Sequence, residues 1–351
     1  MKRHCTAFFR NALGLFLTVL LAGPFGLPSP AMAGEGASLL ERGMVTLSFD
    51  DGLAGVYQYA FPILKSRNQT GVVGIIATKL DAANNDYMTV EQIGALATAG
   101  WEVASHGYTH KRPTDIPKFY SDEKINGWRL DNRQEHTFQT TYEYAQIACI
   151  LENGQPLKET GSFEEMIEIP GSFFYDREIE ELHVKPRASK VKASELDIRA
   201  CSYERELDFS KKALTKIGFQ VTSYITPYNF WNSEMKELSR KYYQQVATGW
   251  GAPNTLATFD PRFISRNVIH EQDTVGSVTR LLRTQALEKR EWVVLCMHDI
   301  GESVGWEPWA AERFERLSEW IAANGLTTVT LTQGAQILKT AREAAAGNPP
   351  Q

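Results

Sequence analysis

Short apolar runs alternate with amphipathic stretches along most of the chain. Runs rich in apolar and β-branched residues predict seven strands, at residues 45–49, 72–76, 103–105, 221–225, 245–248, 293–297 and 327–330. Between them, apolar residues recur at helical spacing and predict helices at 90–99, 204–217, 233–243, 277–287 and 310–323. Because the elements alternate and the strands are almost continuously apolar, we expect an α/β fold with a parallel sheet or barrel and helices outside it.

One long stretch, from about residue 117 to 200, breaks this alternation. It is polar and charged, and apolar and polar residues alternate at 141–144 and 166–169 as they do in strands. The sequence Glu-Asn-Gly at 152–154 is typical of a hairpin turn. Since the stretch is too long for an ordinary connection, we interpret it as a partly β-rich insertion.

The insertion interrupts a predicted catalytic domain of residues 34–345, and a loose tail follows at 346–351. Cys149 and Cys201 flank part of this unusual middle segment, and an oxidising compartment would allow them to form a disulfide. The sequence leaves their pairing open, because the count of cysteines after the N-terminal segment is odd.

The N-terminal residues have the pattern of a secretory signal peptide. Lys2, Arg3 and Arg10 form a basic start, an apolar run follows at 12–21, and small residues surround a cleavage site after Ala33. The apolar run is short for a membrane span, which needs roughly 20 residues. We therefore expect residues 1–33 to be removed and the mature protein to be exported, either to the periplasm or outside the cell.

Composition and charge change this picture little. The chain has 351 residues, of which 43% are apolar and 23% charged, as is ordinary for a soluble globular protein. A formal net charge of -5 gives no reason to expect nucleic acid as a partner.

Acidic and imidazole side chains cluster where three predicted strands end. Residues 48–52 (SFDDG) complete the first strand, and residues 105–110 (SHGYTH) follow the third. The run at 293–297 leads directly into His298 and Asp299. Because active sites of parallel α/β folds lie at the carboxyl ends of their strands, we expect the three clusters to meet.

These residue types are those of a hydrolytic metal site. His106 and His110 with one of the two aspartates, Asp50 or Asp51, make a three-ligand site that leaves positions for water and substrate. The other aspartate is then free to accept a proton from the water, and His298 to donate one to the leaving group. Alternatively, the aspartates cap the following helix and the histidines are a structural pair.

The three clusters resemble the motifs of the polysaccharide deacetylases of carbohydrate esterase family 4. Residues 48–52 match the first motif, usually written TFDDG, residues 105–110 match the second, and residues 295–299 (LCMHD) are similar to the last. The resemblance spans about residues 43–338 apart from the insertion. It implies a distorted (β/α)7-type barrel.

The resemblance also implies a role for each matched residue. Asp50 would be the general base, Asp51, His106 and His110 the ligands of one divalent metal ion, and His298 the general acid. The apolar residues before His298 would form a wall for the acetyl methyl group. Zinc is the expected metal, with cobalt and nickel as alternatives.

The middle motifs depart from the family pattern. Residues 225–228 (ITPY) lack the arginine that orients the catalytic aspartate in the family, although Tyr228 still fits the position whose backbone amide helps to hold the oxyanion. Residues 248–250 (TGW) stand where an Asp-Trp motif is usual. Arg262 and Arg266 are the candidate replacements for the missing arginine.

Aromatic residues near the predicted strand ends fit a sugar-binding groove, since sugar rings stack on flat apolar faces. Each of them is also a possible core residue. The candidates are Tyr108, Trp231, Trp250, Trp306 and Trp309.

The sequence thus predicts an exported, metal-dependent N-deacetylase of an amino-sugar polysaccharide, such as a cell-wall glycan or a biofilm exopolysaccharide. Two alternatives remain open: an O-acetyl esterase on an acetylated glycan such as xylan, and a glycan-binding barrel without turnover. Three roles are open for the insertion, namely extending the groove, contacting an export machine, or capping the barrel.

Overall fold

The computed structural model describes residues 39–80, 85–116, 118–142, 147–301 and 306–347. The predicted signal peptide and residues 348–351 of the predicted tail lie outside the described residues. Among the residues described, no helix is both long and apolar enough to cross a membrane.

Within the described residues, seven parallel strands form the central sheet. Six of them lie where the sequence predicts strands, and the sequence missed the sixth along the chain. They are β1 (Met44–Phe49), β2 (Val72–Ile75), β3 (Glu102–Ser105), β4 (Ser223–Ile225), β5 (Gln245–Thr248), β6 (two pieces, Ile264–Ser265 and Asn267–Val268) and β7 (Trp292–Met297). The short strand Thr327–Thr328 pairs with β1 outside this ring.

The sheet closes on itself through β6. Its first piece pairs with β5 through Ile264 and Ala247, and its second piece pairs with β7 through Asn267 and Leu295. The other neighbours are β7 with β1, β1 with β2, β2 with β3, β3 with β4 and β4 with β5, all parallel. The predicted (β/α)7-type barrel is therefore confirmed. Arg266 lies at the point of closure, between the two pieces of β6.

Helices surround the barrel, and all five predicted helices are present with ends that differ by a few residues. The sequence missed the first and the last. They are α1 (Phe61–Lys65, preceded by a π-helical turn at Val56–Ala60), α2 (Val90–Thr98), α3 (Tyr203–Lys216), α4 (Ser233–Ser239), α5 (Val275–Leu282, continued by a π-helical turn at Arg283–Glu288), α6 (Ala311–Ala323) and α7 (Leu331–Ala345).

Side chains of β1 alternate between the two faces of the barrel wall. Val45, Leu47 and Phe49 pack in the large core between strands and helices. Thr46 lies in the interior, where its hydroxyl accepts a hydrogen bond from Trp292 Nε1. Because successive strand residues face opposite sides, the residue that follows Phe49 also faces inward at the barrel end.

Between β3 and α3, residues 123–200 form two small sheets with a hydrophobic core of their own. One sheet contains Arg129–Leu130, Phe138–Thr141, Glu181–Lys185, Ser172–Asp176 and Lys158–Glu159, and the other contains Glu123–Lys124, Ile198–Ala200, Ile150–Glu152 and Gln155–Pro156. The strand that enters this segment pairs antiparallel with the strand that leaves it, so that Glu123 lies opposite Ala200.

Two local predictions in this segment have opposite outcomes. The turn at 152–154 is confirmed, because Asn153 and Gly154 both have positive φ, 50° and 76°, and join two antiparallel strands. The strand-like pattern at 166–169 is wrong, because it lies at the end of the helix Phe163–Glu168. Ser162 caps that helix by accepting a hydrogen bond from the Glu165 amide at 3.1 Å, a local interaction that outweighs the alternation.

Cys149 and Cys201 form a disulfide, with Cα atoms 5.2 Å apart. It closes a loop of 52 residues that contains most of the segment. Residues 143–146, which include part of the alternating run predicted at 141–144, lie outside the described residues.

Candidate active site

The three predicted clusters meet at the carboxyl end of the barrel. Asp50 follows β1, His106 follows β3 and His298 follows β7. Asp50 and His106 are almost fully buried, with 3% and 1% of their surface exposed. Alternation along the strands turns these side chains into the barrel, which explains why polar groups end three apolar strands.

Asp51, His106 and His110 form a compact triangle. Asp51 Oδ1 lies 3.3 Å from Nε2 of each histidine, and the two Nε2 atoms lie 3.2 Å apart. A point at the centre of such a triangle is about 1.9 Å from each atom, slightly less than the usual 2.0–2.1 Å of a zinc–imidazole bond. The spacing of the three atoms would therefore allow all of them to ligate one cation.

The hydrogen bonding of His106 indicates that this triangle is suited to holding a cation. His106 Nδ1 lies 2.9 Å from the Ile225 carbonyl oxygen, which can only accept, so the proton of the neutral ring is assigned to Nδ1. Nε2 then directs a lone pair at Asp51 Oδ1, a buried oxygen without a hydrogen-bond donor among the described residues. Facing lone pairs repel unless a positive charge lies between them. The donor set thus fits a divalent metal of the zinc type.

Proton affinities in the triangle reflect the same crowding. Burial disfavours the imidazolium of His106, but the two neighbouring aspartates outweigh burial and raise its pKa. Burial and the charge of His106 lower the pKa of His110 to about 4, which leaves that ring neutral at pH 7. Burial opposes ionisation of Asp51, but the adjacent histidines hold its pKa below the ordinary value. The carboxylate of Asp51 and the neutral ring of His110 are the protonation states that a metal requires, whereas a metal would have to displace the proton that the two aspartates favour on His106.

Two residues of the triangle have a strained backbone. Asp51 has φ of 72° and His110 has φ of 64°, in the left-handed region that costs non-glycine residues about 1–2 kcal/mol. Gly52, with φ of 75°, continues the turn that brings Asp51 to the site. Neither aspartate caps the next helix, since Gly55 takes that position and neither aspartate side chain accepts a hydrogen bond from the amides at the helix start. The alternative interpretation of the aspartates as helix caps is therefore wrong.

A buried carboxylate from α3 holds the loop between the two histidines. Glu206 Oε2 accepts hydrogen bonds from the amides of Tyr108 and Thr109, at 3.0 and 2.8 Å, and Oε1 accepts one from the Thr109 hydroxyl at 2.8 Å. Glu206 is 1% exposed, and its burial raises its pKa. Sequence analysis missed this residue, because nothing local connects an acid in the first turn of α3 with a loop about a hundred residues earlier.

Arg266 takes the position beside Asp50 for which the sequence offered two candidates. Its Nη1 donates to both carboxylate oxygens of Asp50, at 2.7 and 2.9 Å, and its side chain is fully buried. Arg262 instead donates to the Tyr243 carbonyl. Of the two arginines, the structure therefore places only Arg266 at the site.

Asp50 remains a carboxylate in these surroundings. Burial opposes its ionisation, but the charges of Arg266, His106 and His298 outweigh burial and hold its pKa well below the ordinary value. Cys296 lies next to it and donates from Sγ to Asp50 Oδ2 at 3.5 Å. Burial raises the pKa of this thiol far above its usual range, so it stays protonated. The neighbouring cluster of Asp50, Cys296 and His298 is thus a poorer metal site than the triangle.

His298 is half-buried at the same end of the barrel. Burial lowers its pKa, although the two aspartates partly counteract this. Its Nδ1 is buried and has no hydrogen-bond partner among the described residues. The neighbouring Asp299 holds a turn instead, because its Oδ1 accepts the Ile300 amide at 2.9 Å and its carboxylate also accepts from Gly55.

Tyr228 lies beside the triangle in a strained conformation. Its φ is 56°, and the centre of its ring lies 4.7 Å from that of His110. The Arg112 guanidinium covers the ring at 4.3 Å. More than half of the tyrosine is exposed, so the residue lies on the rim of the site.

Only some of the aromatic and apolar residues predicted to contact the substrate are exposed. Trp250 and Trp306 are 85% and 66% exposed. Trp309 was a wrong choice, because it is buried and its Nε1 donates to the Asp273 carbonyl. Tyr108 packs edge-on against Phe209 near the disulfide, and Trp231 packs against Phe263. Of the apolar residues before His298, Leu295 and Met297 pack toward the helices, so the predicted methyl wall is reduced to Cys296.

Comparison with known families agrees with this site. The family model described as polysaccharide deacetylase matches residues 39–166, which include the first two motifs. The resemblance found in the sequence is therefore confirmed. Among curated proteins, no sequence matches the chain.

Several solved structures are similar to the chain over most of its length. The Xyl-CE4 domain of a multidomain xylanase from the hindgut metagenome of Trinervitermes trinervoides shares 14% identity, with 88% of this chain and 94% of that chain covered and a TM-score of 0.44. The peptidoglycan deacetylase PdaC from Bacillus subtilis shares 13%, covering 88% and 96%, with a TM-score of 0.45. A family 4 carbohydrate esterase from Streptomyces lividans shares 14%, covering 83% and 95%, with a TM-score of 0.41.

Proposed function

Because the chain matches the polysaccharide deacetylase family, we propose that it is a metal-dependent hydrolase that removes N-acetyl groups from an amino-sugar polysaccharide. One observation carries the proposal: a carboxylate kept anionic by a buried arginine adjoins a triangle of metal-ligand atoms. A glycan-binding barrel without turnover would have no need of this buried charge arrangement. The signal peptide pattern supports export, where cell-wall glycan or secreted exopolysaccharide is available.

Asp51, His106 and His110 would hold the metal, with zinc as the first choice and cobalt or nickel as alternatives. When bound, the cation lowers the pKa of a water molecule and polarises the acetyl carbonyl. Glu206 and the Ile225 carbonyl hold the ligands in place through the contacts described above.

Asp50 acts as the general base. It accepts a proton from the attacking water, whose oxygen forms a bond to the acetyl carbon. Arg266 fixes both carboxylate oxygens, so Asp50 does not rotate away between turnovers. The amide of Tyr228 donates to the carbonyl oxygen as negative charge develops on it.

His298 acts as the general acid. As the carbon–nitrogen bond breaks, the protonated imidazole donates to the departing amine, and acetate is released. Its partly buried ring adjoins Asp50, which supports the proposal that donor and base act on the same reacting group. Trp250 and Trp306, the exposed tryptophans, provide flat faces on which neighbouring sugar rings stack.

The deciding experiment measures acetate release by residues 34–351. The protein is stripped with chelator, reloaded with zinc, cobalt or nickel, and offered N-acetylglucosamine oligomers or acetylated xylan. We expect metal-dependent acetate from the amino-sugar oligomers. Acetate from xylan alone would replace the amide substrate by an ester. Binding of oligomers without acetate release, with metal demonstrably bound, would contradict an enzymatic role.

A further inference from the structure

We propose that Asn229 is a positioning residue that joins the general base to the Tyr228 turn through Arg266. The inference rests on the proposed function, since it assigns the catalytic role to Asp50. It concerns the two places where the chain departs from the family pattern, residues 225–228 and 248–250. In the structure these two departures and Arg266 form one connected network.

Arg266 contacts the two sides of the site at once. While Nη1 donates to both oxygens of Asp50, Nη2 donates to the side-chain oxygen of Asn229. Guanidinium is planar and rigid, so the position of one partner fixes the direction available to the other. Arg266 itself is held at the closure of the barrel, between the two pieces of β6.

Asn229 is suited to this position by its backbone. Its φ is 54°, and the φ of the preceding Tyr228 is 56°, so two successive residues adopt the left-handed conformation. Asparagine tolerates that conformation better than most residues. The Thr248 hydroxyl donates to the Asn229 carbonyl at 3.1 Å, which anchors the turn from the end of β5.

Gly249 leaves the space that Asn229 occupies. A Cβ atom at position 249 would lie 2.6 Å from the Asn229 Cβ, closer than such atoms approach in proteins. Residues 248–249, which stand where the family has its Asp-Trp motif, therefore serve Asn229. The other departure from the family pattern is Ile225, which packs in the apolar core of the barrel. An arginine at this position would replace that apolar packing. The network thus explains both departures by one arrangement.

The mechanistic consequence is that base and oxyanion donor are held as one unit. Asp50 and Tyr228 approach the acetyl group from different strands, β1 and β4. Through Arg266 and Asn229, a shift of either side moves the other, so the reacting groups keep their relative position. Loss of the link should reduce kcat more than it changes KM, because substrate binding by the rim is retained.

The test compares Asn229→Gly with Asn229→Asp in the metal-loaded protein of residues 34–351. Glycine keeps the left-handed backbone and removes the acceptor, so kcat should fall about tenfold, or about 1.4 kcal/mol in barrier, with KM changed less than twofold. Aspartate keeps an oxygen for Arg266 and should lose much less. Arg262→Lys, which changes the arginine that does not reach Asp50, should behave as wild type.

A second comparison uses the close approach of Gly249. Gly249→Ala alone should lower kcat, because the new methyl group displaces Asn229. In the Asn229→Gly background the same change should cause little further loss, since the colliding Cβ is gone. Additive losses in kcat would overturn the proposed link.

A stability measurement separates this inference from the proposed function. A double-mutant cycle of Asn229→Gly and Arg266→Lys, followed by urea unfolding, reports coupling between the two side chains whether or not a substrate is found. Coupling without acetate release by wild type would contradict the proposed function and retain the link. Acetate release by wild type with no coupling, and full kcat in Asn229→Gly, would overturn the link and retain the function.

Discussion

At the scale of single residues, the ionisation of Asp50 depends on Arg266, the cationic side chain that faces it. An exposed aspartate would titrate near its ordinary pKa, whereas Arg266, His106 and His298 keep this one ionised although it is buried. The same contact makes Arg266 costly to remove, because breaking a buried pair leaves an unpaired charge.

Asp50→Asn should retain the fold at reduced stability, because Arg266 loses its buried counterion, and should keep the metal and lose turnover. The amide fills the same space and cannot accept the proton of the water, so kcat should fall by about 10²–10⁴-fold. Acetate release and zinc content are measured together. Asp115→Asn is the control: it makes the same chemical change at an aspartate that has no contact with Arg266 among those described above, and it should remain active. Retained activity in Asp50→Asn would contradict its assignment as the base.

Glu206→Ala should weaken metal binding. Without the carboxylate, the amides of Tyr108 and Thr109 lose their acceptor, and the loop that carries His110 loosens. We expect zinc affinity to fall about 10–100-fold, as for outer partners of metal ligands. Competition with a chromogenic chelator measures this without reference to activity. Glu204→Ala, on the same helix and bonded to Lys241 and Tyr242, is the matched control and should bind zinc as wild type.

As the pH rises, activity should begin to fall at a lower pH than it would if the general acid were a histidine of ordinary pKa. A general acid must be protonated, so its contribution is lost as pH rises through its pKa. Burial lowers the pKa of His298, which moves that loss toward acid pH. The alkaline limb of kcat/KM against pH measures it, and His298→Ala should abolish the limb along with most of the rate. An unchanged limb in the variant would assign the titration to another group.

Whether the sequence predicts a residue of the site depends on whether that residue lies in a local motif. Five residues of the site follow apolar strands and belong to motifs, so the local sequence predicts that they lie together. They are Asp50, Asp51, His106, His110 and His298. Asn229 and Glu206 carry no such local signal, because their function arises from contacts across the barrel.

At the scale of elements, the disulfide packs against the loop between His106 and His110. Cys149 and Cys201 pack with Leu151 in a small cluster, against which Tyr108 and Phe209 lie. Tyr108 belongs to the loop between the two histidine ligands. The covalent link thus lies one side chain away from the candidate metal site.

Removal of the disulfide should destabilise the protein. A closed loop of 52 residues is worth up to about 4 kcal/mol in the chain-entropy description. We expect the variant with serine at 149 and 201 to unfold at lower temperature in differential scanning calorimetry. Reductant should lower the unfolding temperature of wild type and leave that of the variant unchanged. Equal sensitivity of both proteins would show that the bond contributes little.

The elements that the sequence analysis missed lack a clear local pattern of apolar residues, for a different reason in each case. β6 consists of two pieces of two residues each, too short to show a period of any kind. It is defined by its neighbours β5 and β7, which supply its hydrogen bonds. In α7, Gly334 and Ala335 replace the large apolar residues of an ordinary helix face because Trp292 fills the space against Gly334. Small residues therefore concealed its amphipathic pattern.

At the scale of the whole molecule, the order of elements predicts a parallel sheet or barrel, and the resemblance to the family selects the barrel, whereas the segment at 123–200 required the structure. Alternating strands and helices restrict a chain to few topologies. The two inserted sheets follow no such rule. Their packing around Phe138, Ile150, Leu182 and Ile198 comes from pairings between distant short strands.

That segment enters and leaves the barrel through one antiparallel pair, with Glu123 opposite Ala200 and the Ile125 amide bonded to the Ile198 carbonyl. A chain shortened by replacing residues 126–197 with Asn-Gly would therefore need only a hairpin turn at that stem. We expect the shortened barrel to bind zinc, measured by chelator competition; loss of the folded barrel would contradict this. Such a stem makes the segment a separable unit, because its removal leaves the strands that carry the candidate site connected by a single turn.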